Sequence, residues 1–373
     1  MTPPPPSKPA MRPMPIRAKP RVLVIDDSSF FRQSITEMLS SSGQFEVVGR
    51  AGDGVEAMAL MRTHMPDLVT LDLEMPRMNG FSFLRWVMAA QPVPVLVISS
   101  HDSHASVFHA LELGAADFMP KPTRNASLEI LSIKQQLYEK LHQISAIGLK
   151  AVVQRSHLLA QPPAVRYEKV RRPAKSAAAY ISPVRLVVIG ASTGGPRAVQ
   201  AVLRELPPTF PAPILVVQHM PPVFTTHFAE RLNTQCPLTV KEAEDGELIE
   251  PGKILVVPGD FHLTVRRSGA IARVSLTPRQ AEDRYAPSVD LTMQSAAELF
   301  TTGVLGIVLT GMGDDGKEGM LAIKRKGGRT IAESEETAAI FGMPREALLA
   351  GAVDQLLPLP AIGPALVKQA MTE

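Results

Sequence analysis

The first third of the chain places acidic, hydroxyl and ammonium side chains directly after short apolar runs, a combination that could accept a phosphoryl group. The acids are Asp26, Asp27 and Asp72, the hydroxyl is Ser99, and the ammonium is Lys121. If the apolar runs are parallel strands, all five side chains fall at the carboxyl edge of one sheet. Clustered carboxylates repel one another unless a divalent cation separates them, and hard oxygen ligands favour Mg²⁺. We therefore predict a Mg²⁺ site at the three acids, with Asp72 as the nucleophile toward phosphorus and Lys121 as a counter-charge.

A second set of residues could carry out acyl transfer. Ser192 lies in the glycine-rich segment 190–196, His219 follows the apolar run 214–218, and Asp315 follows the run 306–310. A glycine-rich turn after a strand places the serine at a helix N-terminus, where free N–H groups favour negative charge. Such a turn could stabilise the oxyanion of an acyl-transfer reaction.

Taken alone, the glycine-rich turn has two interpretations. It could hold a nucleotide phosphate, and it also matches the Gly-x-Ser-x-Gly pattern of nucleophile elbows. His219 and Asp315 favour the second interpretation, because serine, histidine and aspartate at three strand ends can converge as nucleophile, general base and orienting carboxylate. The chain order Ser, His, Asp differs from that of the α/β-hydrolases, so their fold is not predicted.

Two other features near these residues are expected to be structural. Asp314 is predicted to cap the helix that begins near Gly316 rather than to act in catalysis. The segments 258–262 and 285–290 are predicted to be turns, the first leading into another strand and the second into a helix capped by Ser288 or Asp290, although either could line a substrate cleft.

The elements that would position these residues form two α/β units. From residue 21, β-branched runs alternate with amphipathic stretches, which predicts a parallel sheet of five strands with helices on both faces. The alternation restarts at 184–190, continues through 214–218, 254–257 and 306–310, and ends in a helix near 361–371. The predicted fold class is α/β, with two doubly wound parallel-sheet domains.

The composition between these units predicts the domain boundaries. Residues 1–20 contain eight prolines and are expected to form a disordered tail. The first domain is expected to span 21–150 and the second 184–373, joined by a basic linker over 151–183.

Length and charge restrict the domain number and the possible functions of the chain. At 373 residues, it is longer than one hydrophobic core usually supports, which favours two domains. The net charge of +3 hides five Lys/Arg without acids in 1–21 and ten Lys/Arg against three Glu in 124–183, which leaves the folded parts acidic. Nucleic-acid binding is therefore not expected. With one cysteine, and no apolar run of membrane-spanning length, the sequence favours a cytoplasmic protein without membrane insertion.

The first set of residues resembles the receiver domain of two-component response regulators. Asp26-Asp27, the run Leu71-Asp-Leu-Glu-Met-Pro76, Ser99 and Lys121-Pro122 occur in the family's order. The resemblance implies that Asp72 is the phosphoacceptor, that Asp26 and Asp27 hold Mg²⁺, and that Ser99 and Lys121 sense the phosphoryl group. Phe118 stands at the family's aromatic switch position, without a hydroxyl.

The second set resembles the catalytic domain of the chemotaxis protein-glutamate methylesterases. The shared motifs are Gly-Ala-Ser-Thr-Gly-Gly at 190–195, Gln-His-Met at 218–220 and Thr-Gly-Met-Gly-x-Asp-Gly at 310–316. With the receiver, the resemblance covers about 21–373. It implies that Ser192, His219 and Asp315 are catalytic and that Thr193 and Met312 shape the oxyanion and substrate site, in a Rossmann-like domain without a cofactor.

The resemblance also implies partners and regulation. The substrates would be glutamyl methyl esters, and specific glutamines, of methyl-accepting chemotaxis receptors, and a chemotaxis histidine kinase would donate the phosphoryl group. The unphosphorylated receiver would cover the catalytic cleft, and the protein would act as a monomer.

Two rival functions make different predictions. A transcriptional regulator would need a helix-turn-helix output of roughly 70 to 100 residues, whereas the second unit repeats a strand-helix pattern over a longer span. A phosphorylation-dependent scaffold with an inactive hydrolase domain is disfavoured because Ser192, His219 and Asp315 are all present.

Overall fold

The computed structural model describes residues 19–99, 104–121, 127–145, 184–269 and 271–371. Most of the predicted proline-rich tail and the whole of the predicted linker lie outside these ranges. Within them, two parallel sheets confirm the predicted fold class of two α/β domains. No helix among the described residues combines the length and apolar character that crossing a membrane requires.

The first sheet has five parallel strands in the order β2-β1-β3-β4-β5. The strands are β1 (Arg21–Ile25), β2 (Glu46–Ala51), β3 (Leu68–Leu71), β4 (Val95–Ser99) and β5 (Asp117–Pro120). The helices are α1 (Ser29–Ser42), α2 (Gly54–His64), α3 (Gly80–Ala90), α4 (His104–Glu112) and α5 (Ser127–Ser145). The central strands β3 and β4 are buried along their whole length, because helices cover both faces of the sheet.

Register in this sheet aligns the ends of neighbouring strands. Ile25 of β1 pairs with Leu71 of β3, and the N–H of Asp72 donates to the carbonyl of Ile25 at 2.9 Å. The residues that follow, Asp26 and Asp72, therefore leave the sheet side by side. Ser28 then caps α1 through its side chain, which ends the loop after β1 within three residues of the strand.

The second sheet has seven parallel strands in the order β14-β13-β12-β6-β7-β9-β8. Its strands are β6 (Leu186–Ala191), β7 (Ile214–Gln218), β8 (Thr239–Glu242), β9 (Lys253–Val256), β12 (Val304–Val308), β13 (Arg329–Glu333) and β14 (Gln355–Leu357). Its helices are α6 (Gly195–Arg204), α7 (Phe224–Gln235), α8 (Val289–Phe300), α9 (Lys317–Arg325), α10 (Met343–Leu349) and α11 (Leu359–Met371), with a short 3₁₀ turn at Thr301–Gly303.

An antiparallel hairpin interrupts the α/β alternation of the second domain. It consists of β10 (Phe261–Ser268) and β11 (Ile271–Pro278). The hairpin packs on α8, where Thr292 Oγ1 donates to the carbonyl of Leu263 at 2.8 Å. It holds the beginning of α8, and the segment 279–288 before it, close to the carboxyl edge of the seven-stranded sheet.

Candidate active site

The carboxyl edge of the first sheet brings together the predicted phosphoryl-site residues. Lys121 Nζ lies 2.7 Å from Asp72 Oδ2 and 2.9 Å from Asp26 Oδ2. Asp26 and Asp72 are buried, whereas Asp27 is exposed at the mouth of the site. Ser99 is buried at the end of the neighbouring strand, and its Oγ makes no hydrogen bond to the described residues.

Burial dominates the electrostatics of this edge. It raises the pKa of Asp72 to about 6 and also raises that of Asp26, although Lys121 opposes both shifts. Burial would lower the pKa of Lys121, but its bonds to Asp72 and Asp26 outweigh burial and raise it. Lys121 is therefore cationic at neutral pH, but its single positive charge does not balance two charged carboxylates at Asp26 and Asp72.

The donor set fits a divalent cation. Ligand oxygens of Asp26, Asp27 and Asp72 lie within 4.8 Å of one another. Carboxylates are the ligands that Mg²⁺ prefers, and a dication would stabilise the charged forms that burial, and to a lesser extent mutual repulsion, disfavour in Asp26 and Asp72.

At the second sheet, three adjacent strands deliver Ser192, His219 and Asp315 to one edge. Ser192 follows β6, His219 follows β7, and Asp315 lies in the loop after β12, with β6 between the other two strands. Backbone bonds hold the first two together, because the N–H of His219 donates to the carbonyl of Ala191 at 3.0 Å. Adjacent strands thus bring three predicted residues, which are far apart along the chain, to the same edge of the sheet.

Local backbone shape explains the glycine-rich turn at Ser192. Gly194 adopts a φ of 80° as it caps α6, a conformation that strains other residues. The N–H of Gly195 donates to the carbonyl of Ser192 at 2.8 Å, and Gln218 Nε2 donates to the same oxygen at 2.8 Å. The serine is half-buried at the beginning of α6, as the motif predicts.

His219 and Asp315 form a close pair. His219 Nε2 lies 2.8 Å from Asp315 Oδ2, and Asp315 is buried. The ring's Nδ1 is the nitrogen that this pair leaves for another partner. No hydrogen bond joins His219 to Ser192 in the structure.

Asp315 is saturated with hydrogen-bond donors. Besides His219, it accepts the N–H groups of Val289 and Asp290, at 2.7 and 2.9 Å, and the hydroxyl of Ser288 at 3.1 Å. Burial by itself would raise the pKa of this carboxyl, but the bonds from His219 and the two N–H groups outweigh it and hold the pKa below its ordinary value. Asp315 is therefore an anion with a fixed orientation.

Sequence reasoning did not find the aromatic wall of this site. The ring of Tyr285 stacks on the ring of His219, with centroids 4.8 Å apart and planes within 8°. The segment 285–290 had been interpreted as a turn that could line a cleft, but nothing in it distinguished this tyrosine. Stacking on Tyr285 restrains the plane of the imidazole ring, and the contact with Asp315 restrains the rotation of the ring within that plane.

The prediction for Asp314 is wrong in its partner. Asp314 does not cap the following helix with its side chain; Oδ1 pairs with Arg284 at 2.9 Å and lies 3.4 Å from the hydroxyl of Tyr285. The cap of α9 comes from Asp290, whose Oδ1 accepts the N–H groups of Gly316 and Gly319. Pattern alone cannot identify a capping group that arrives from another helix.

Thr193 and Met312 lie at the predicted hydrolase site in different environments. Met312 is exposed at the edge of the site. Thr193 is buried under the first domain, where its Oγ1 lies 2.8 Å from Asp117 Oδ2 and 2.7 Å from Gln143 Oε1. Its one hydroxyl proton serves one of these acceptors at a time.

The contact around Thr193 continues along α7. Phe118 packs on Phe224 with centroids 4.6 Å apart, and Phe108 stacks on Phe228 at 5.8 Å. Glu112 of the first domain also pairs with Arg231 of the second. Phe118, at the predicted aromatic switch position, is therefore part of the boundary between the two domains.

Comparison with known families covers both domains. A family model described as CheB methylesterase matches residues 187–366. A second model, described as the response regulator receiver domain, matches residues 22–131.

Individual relatives match almost the whole chain. Protein-glutamate methylesterase/protein-glutamine glutaminase 3 of Geobacter sulfurreducens is 45% identical over 351 residues, covering 91% of this chain and 95% of that protein. Protein-glutamate methylesterase/protein-glutamine glutaminase of Pyrococcus abyssi is 40% identical over 353 residues, covering 94% and 93%. The solved CheB methylesterase catalytic domain of Thermotoga maritima is 44% identical, with a TM-score of 0.49, and covers 50% of this chain and 98% of that one.

Proposed function

This chain belongs to the CheB methylesterase family, and from that premise we propose that it is a phosphorylation-activated protein-glutamate methylesterase. It hydrolyses glutamyl methyl esters of methyl-accepting chemotaxis receptors and deamidates specific glutamines. The observation that carries the proposal is the His219–Asp315 pair beside Ser192 on three adjacent strands.

The esterase half of the reaction uses three side chains. Ser192 Oγ attacks the ester carbonyl and passes its proton to His219, which then protonates the departing methoxide so that methanol leaves. Water next attacks the acyl-enzyme and gives a proton to His219, which passes it to Ser192 Oγ as the acyl bond breaks. The γ-carboxylic acid then loses its proton to solvent. Asp315 stabilises the imidazolium throughout. Deamidation follows the same steps with ammonia as the leaving group.

Thr193 and Met312 complete the proposed oxyanion and substrate site. The beginning of α6 offers N–H groups beside Ser192, where negative charge develops on the carbonyl oxygen. Exposed Met312 suits contact with a protein substrate at the edge of the cleft. The buried hydroxyl of Thr193 becomes available only if its bonds to Asp117 and Gln143 are broken.

Phosphorylation acts at the other sheet edge. An Asp72 carboxylate oxygen attacks the phosphorus of a phosphohistidine on a chemotaxis histidine kinase, the P–N bond breaks, and the kinase imidazole leaves. Lys121 then exchanges its carboxylate partners for the new phosphoryl oxygens. Asp26, Asp27 and Asp72 would hold Mg²⁺, which when bound neutralises phosphoryl charge. Ser99, whose buried Oγ has no hydrogen bond to the described residues, would donate to the phosphoryl group.

The two domains are coupled through β5 and α5 in this proposal. Lys121 directly follows β5, and the same strand carries Asp117 and Phe118 against the second domain. When Lys121 moves toward a phosphoryl group, β5 moves with it, which weakens these contacts and releases Thr193.

We further propose a cytoplasmic monomer whose domains are 21–150 and 184–373, without nucleic-acid partners and without a cofactor in the catalytic domain.

Methanol release from methylated chemoreceptor membranes tests the function. The full chain is assayed with and without Mg²⁺ and a small-molecule phosphodonor, and Ser192→Ala serves as the blank. Release that rises with the phosphodonor and is lost in the blank supports both sites. Release that ignores the phosphodonor removes the switch, and no release from folded protein overturns the esterase.

A further inference from the structure

Two helices of the second domain begin side by side, and each is capped by an aspartate at the start of the other. Asp315, two residues before α9, accepts the N–H groups of Val289 and Asp290 in the first turn of α8. Asp290 Oδ1 in turn accepts the N–H groups of Gly316 and Gly319, at 2.9 and 2.6 Å. The first N–H groups of a helix have no partner within it, so each carboxylate satisfies donors that the other helix leaves open.

Glycines allow this close approach. Gly316 has a φ of 97°, a left-handed conformation that glycine adopts with little strain, and its N–H donates to Asp290. At Gly319, a Cβ atom would lie 2.5 Å from the Cβ of Met293 on α8, so any side chain would force the two helices apart. The beginnings of α8 and α9 therefore lie close enough for the side chain of Asp290 to span the distance between them.

Asp290 makes no hydrogen bond to Ser192 or His219. Its surroundings disfavour the charged form of its carboxyl group. The pKa of Asp290 is raised to about 6, chiefly by burial and also by the nearby carboxylates of Asp315 and Glu318, against the two N–H donors. Asp290 therefore acts as a hydrogen-bond acceptor at a fixed distance from the beginning of α9. Its surroundings disfavour a second negative charge beside that of Asp315.

We propose that Asp290 is a positioning residue of the hydrolase site, which fixes the turn that carries Asp315 and, through Asp315, the imidazole of His219. The inference rests on the proposed function, because Asp290 acts in the same ester hydrolysis. Its carboxylate touches neither substrate nor reacting atoms. It holds Gly316 and Gly319, which follow Asp315 in the chain, and so keeps Asp315 Oδ2 at 2.8 Å from His219 Nε2.

Two variants separate acceptor geometry from charge. Asp290→Asn keeps the Oδ1 acceptor and removes the charge, so its kcat should stay within about threefold of the unaltered chain. Asp290→Glu keeps the charge but displaces the acceptor by one methylene, and kcat should fall about tenfold to hundredfold with KM nearly unchanged. In Asp290→Glu, the acid limb of the kcat/KM profile should also move to lower pH, because a misplaced Asp315 stabilises the imidazolium less.

The controls distinguish this idea from a structural role and from failure of the proposed function. Glu318→Gln, which removes a neighbouring exposed charge without touching the interlock, should leave kcat and the pH profile unchanged. Methanol release by the unaltered phosphorylated chain, lost in Ser192→Ala, establishes the esterase before the variants are compared. If folded Asp290→Glu keeps both kcat and the acid limb, or if Asp290→Asn is as impaired as Asp290→Glu, the positioning role is wrong.

Discussion

Asp72 and Asp315 are both buried carboxylates at the carboxyl edge of a parallel sheet, yet their environments push their pKa values in opposite directions. Burial raises the pKa of Asp72 to about 6, with Lys121 and one long backbone bond from Glu74 opposing it. Asp315 has a lowered pKa, because His219, Ser288 and two N–H groups donate to it. The number of donors, rather than the depth of burial, separates the two sites.

This difference matches the two chemistries. A carboxylate with few donors keeps lone pairs free to bind a cation or to attack phosphorus. A carboxylate whose lone pairs are all occupied cannot do either, but it holds an imidazole in one orientation and stabilises its charged form. One fold class therefore supports a nucleophilic aspartate and an orienting aspartate, according to what surrounds each strand end.

The largest expected effect comes from neutralising the donor-rich carboxylate. Asp315→Asn should lower kcat about 10³- to 10⁴-fold while the protein stays folded, because an amide cannot stabilise the imidazolium or fix its tautomer. Methanol release by the phosphorylated chain measures the effect. Asp354→Asn is the control, since Asp354 pairs with Lys324 and Thr330 near the beginning of β13, at the opposite edge of the sheet. An equal loss in both variants would contradict the assignment of Asp315.

A smaller effect should follow from loosening the boundary between the two sites. Asp117→Ala removes the charged one of the two acceptors at Thr193, and a buried charge-assisted bond of about 1.5 to 3 kcal/mol corresponds to roughly tenfold or more in the unphosphorylated rate. The phosphorylated rate should change little. Asp67→Ala, which removes a carboxylate bonded to the N–H of Arg21 within the first domain, is the control. Equal unphosphorylated rates in both variants would show that this contact does not restrain the hydrolase.

The smallest expected effect concerns the stability of the donor-poor site. Because the folded pKa of Asp72 is raised from 3.8 to about 6, its contribution to stability is present below pH 3.8 and is lost as pH rises through about 6. Asp72→Asn should therefore stabilise Mg²⁺-free protein at pH 8 by about 1 kcal/mol, since the lost bond to Lys121 offsets part of the gain.

Urea unfolding at two pH values checks this prediction. The gain should disappear near pH 3.5, where Asp72 is protonated in both states, and should shrink when Mg²⁺ is added at pH 8. A gain that is independent of pH would mean that burial of the charged Asp72 carboxylate is not its cause.

Much of the fold was predictable because buried parallel strands are short, apolar and β-branched. The five strands of the first sheet, and β6, β7, β9 and β12 of the second, were expected near their observed positions. The strands β8, β13 and β14 were missed. β8 and β14 are edge strands with mostly exposed or half-buried residues, and Arg329, Thr330 and Glu333 interrupt the apolar pattern of β13. The predicted turn at 258–262 does lead into a strand, β10, but its antiparallel partner β11 was missed.

The sequence by itself determined which side chains follow which strands, because local patterns of apolar residues and glycines encode strand ends and turns. That placed Asp26, Asp72 and Lys121 at one edge and Ser192, His219 and Asp315 at another. Only the tertiary structure decided the contacts between distant segments: Tyr285 on His219, Asp290 interlocked with Asp315, and Asp117 on Thr193. These contacts depend on how helices and domains pack, and packing brings together residues whose separation along the chain has no local signature.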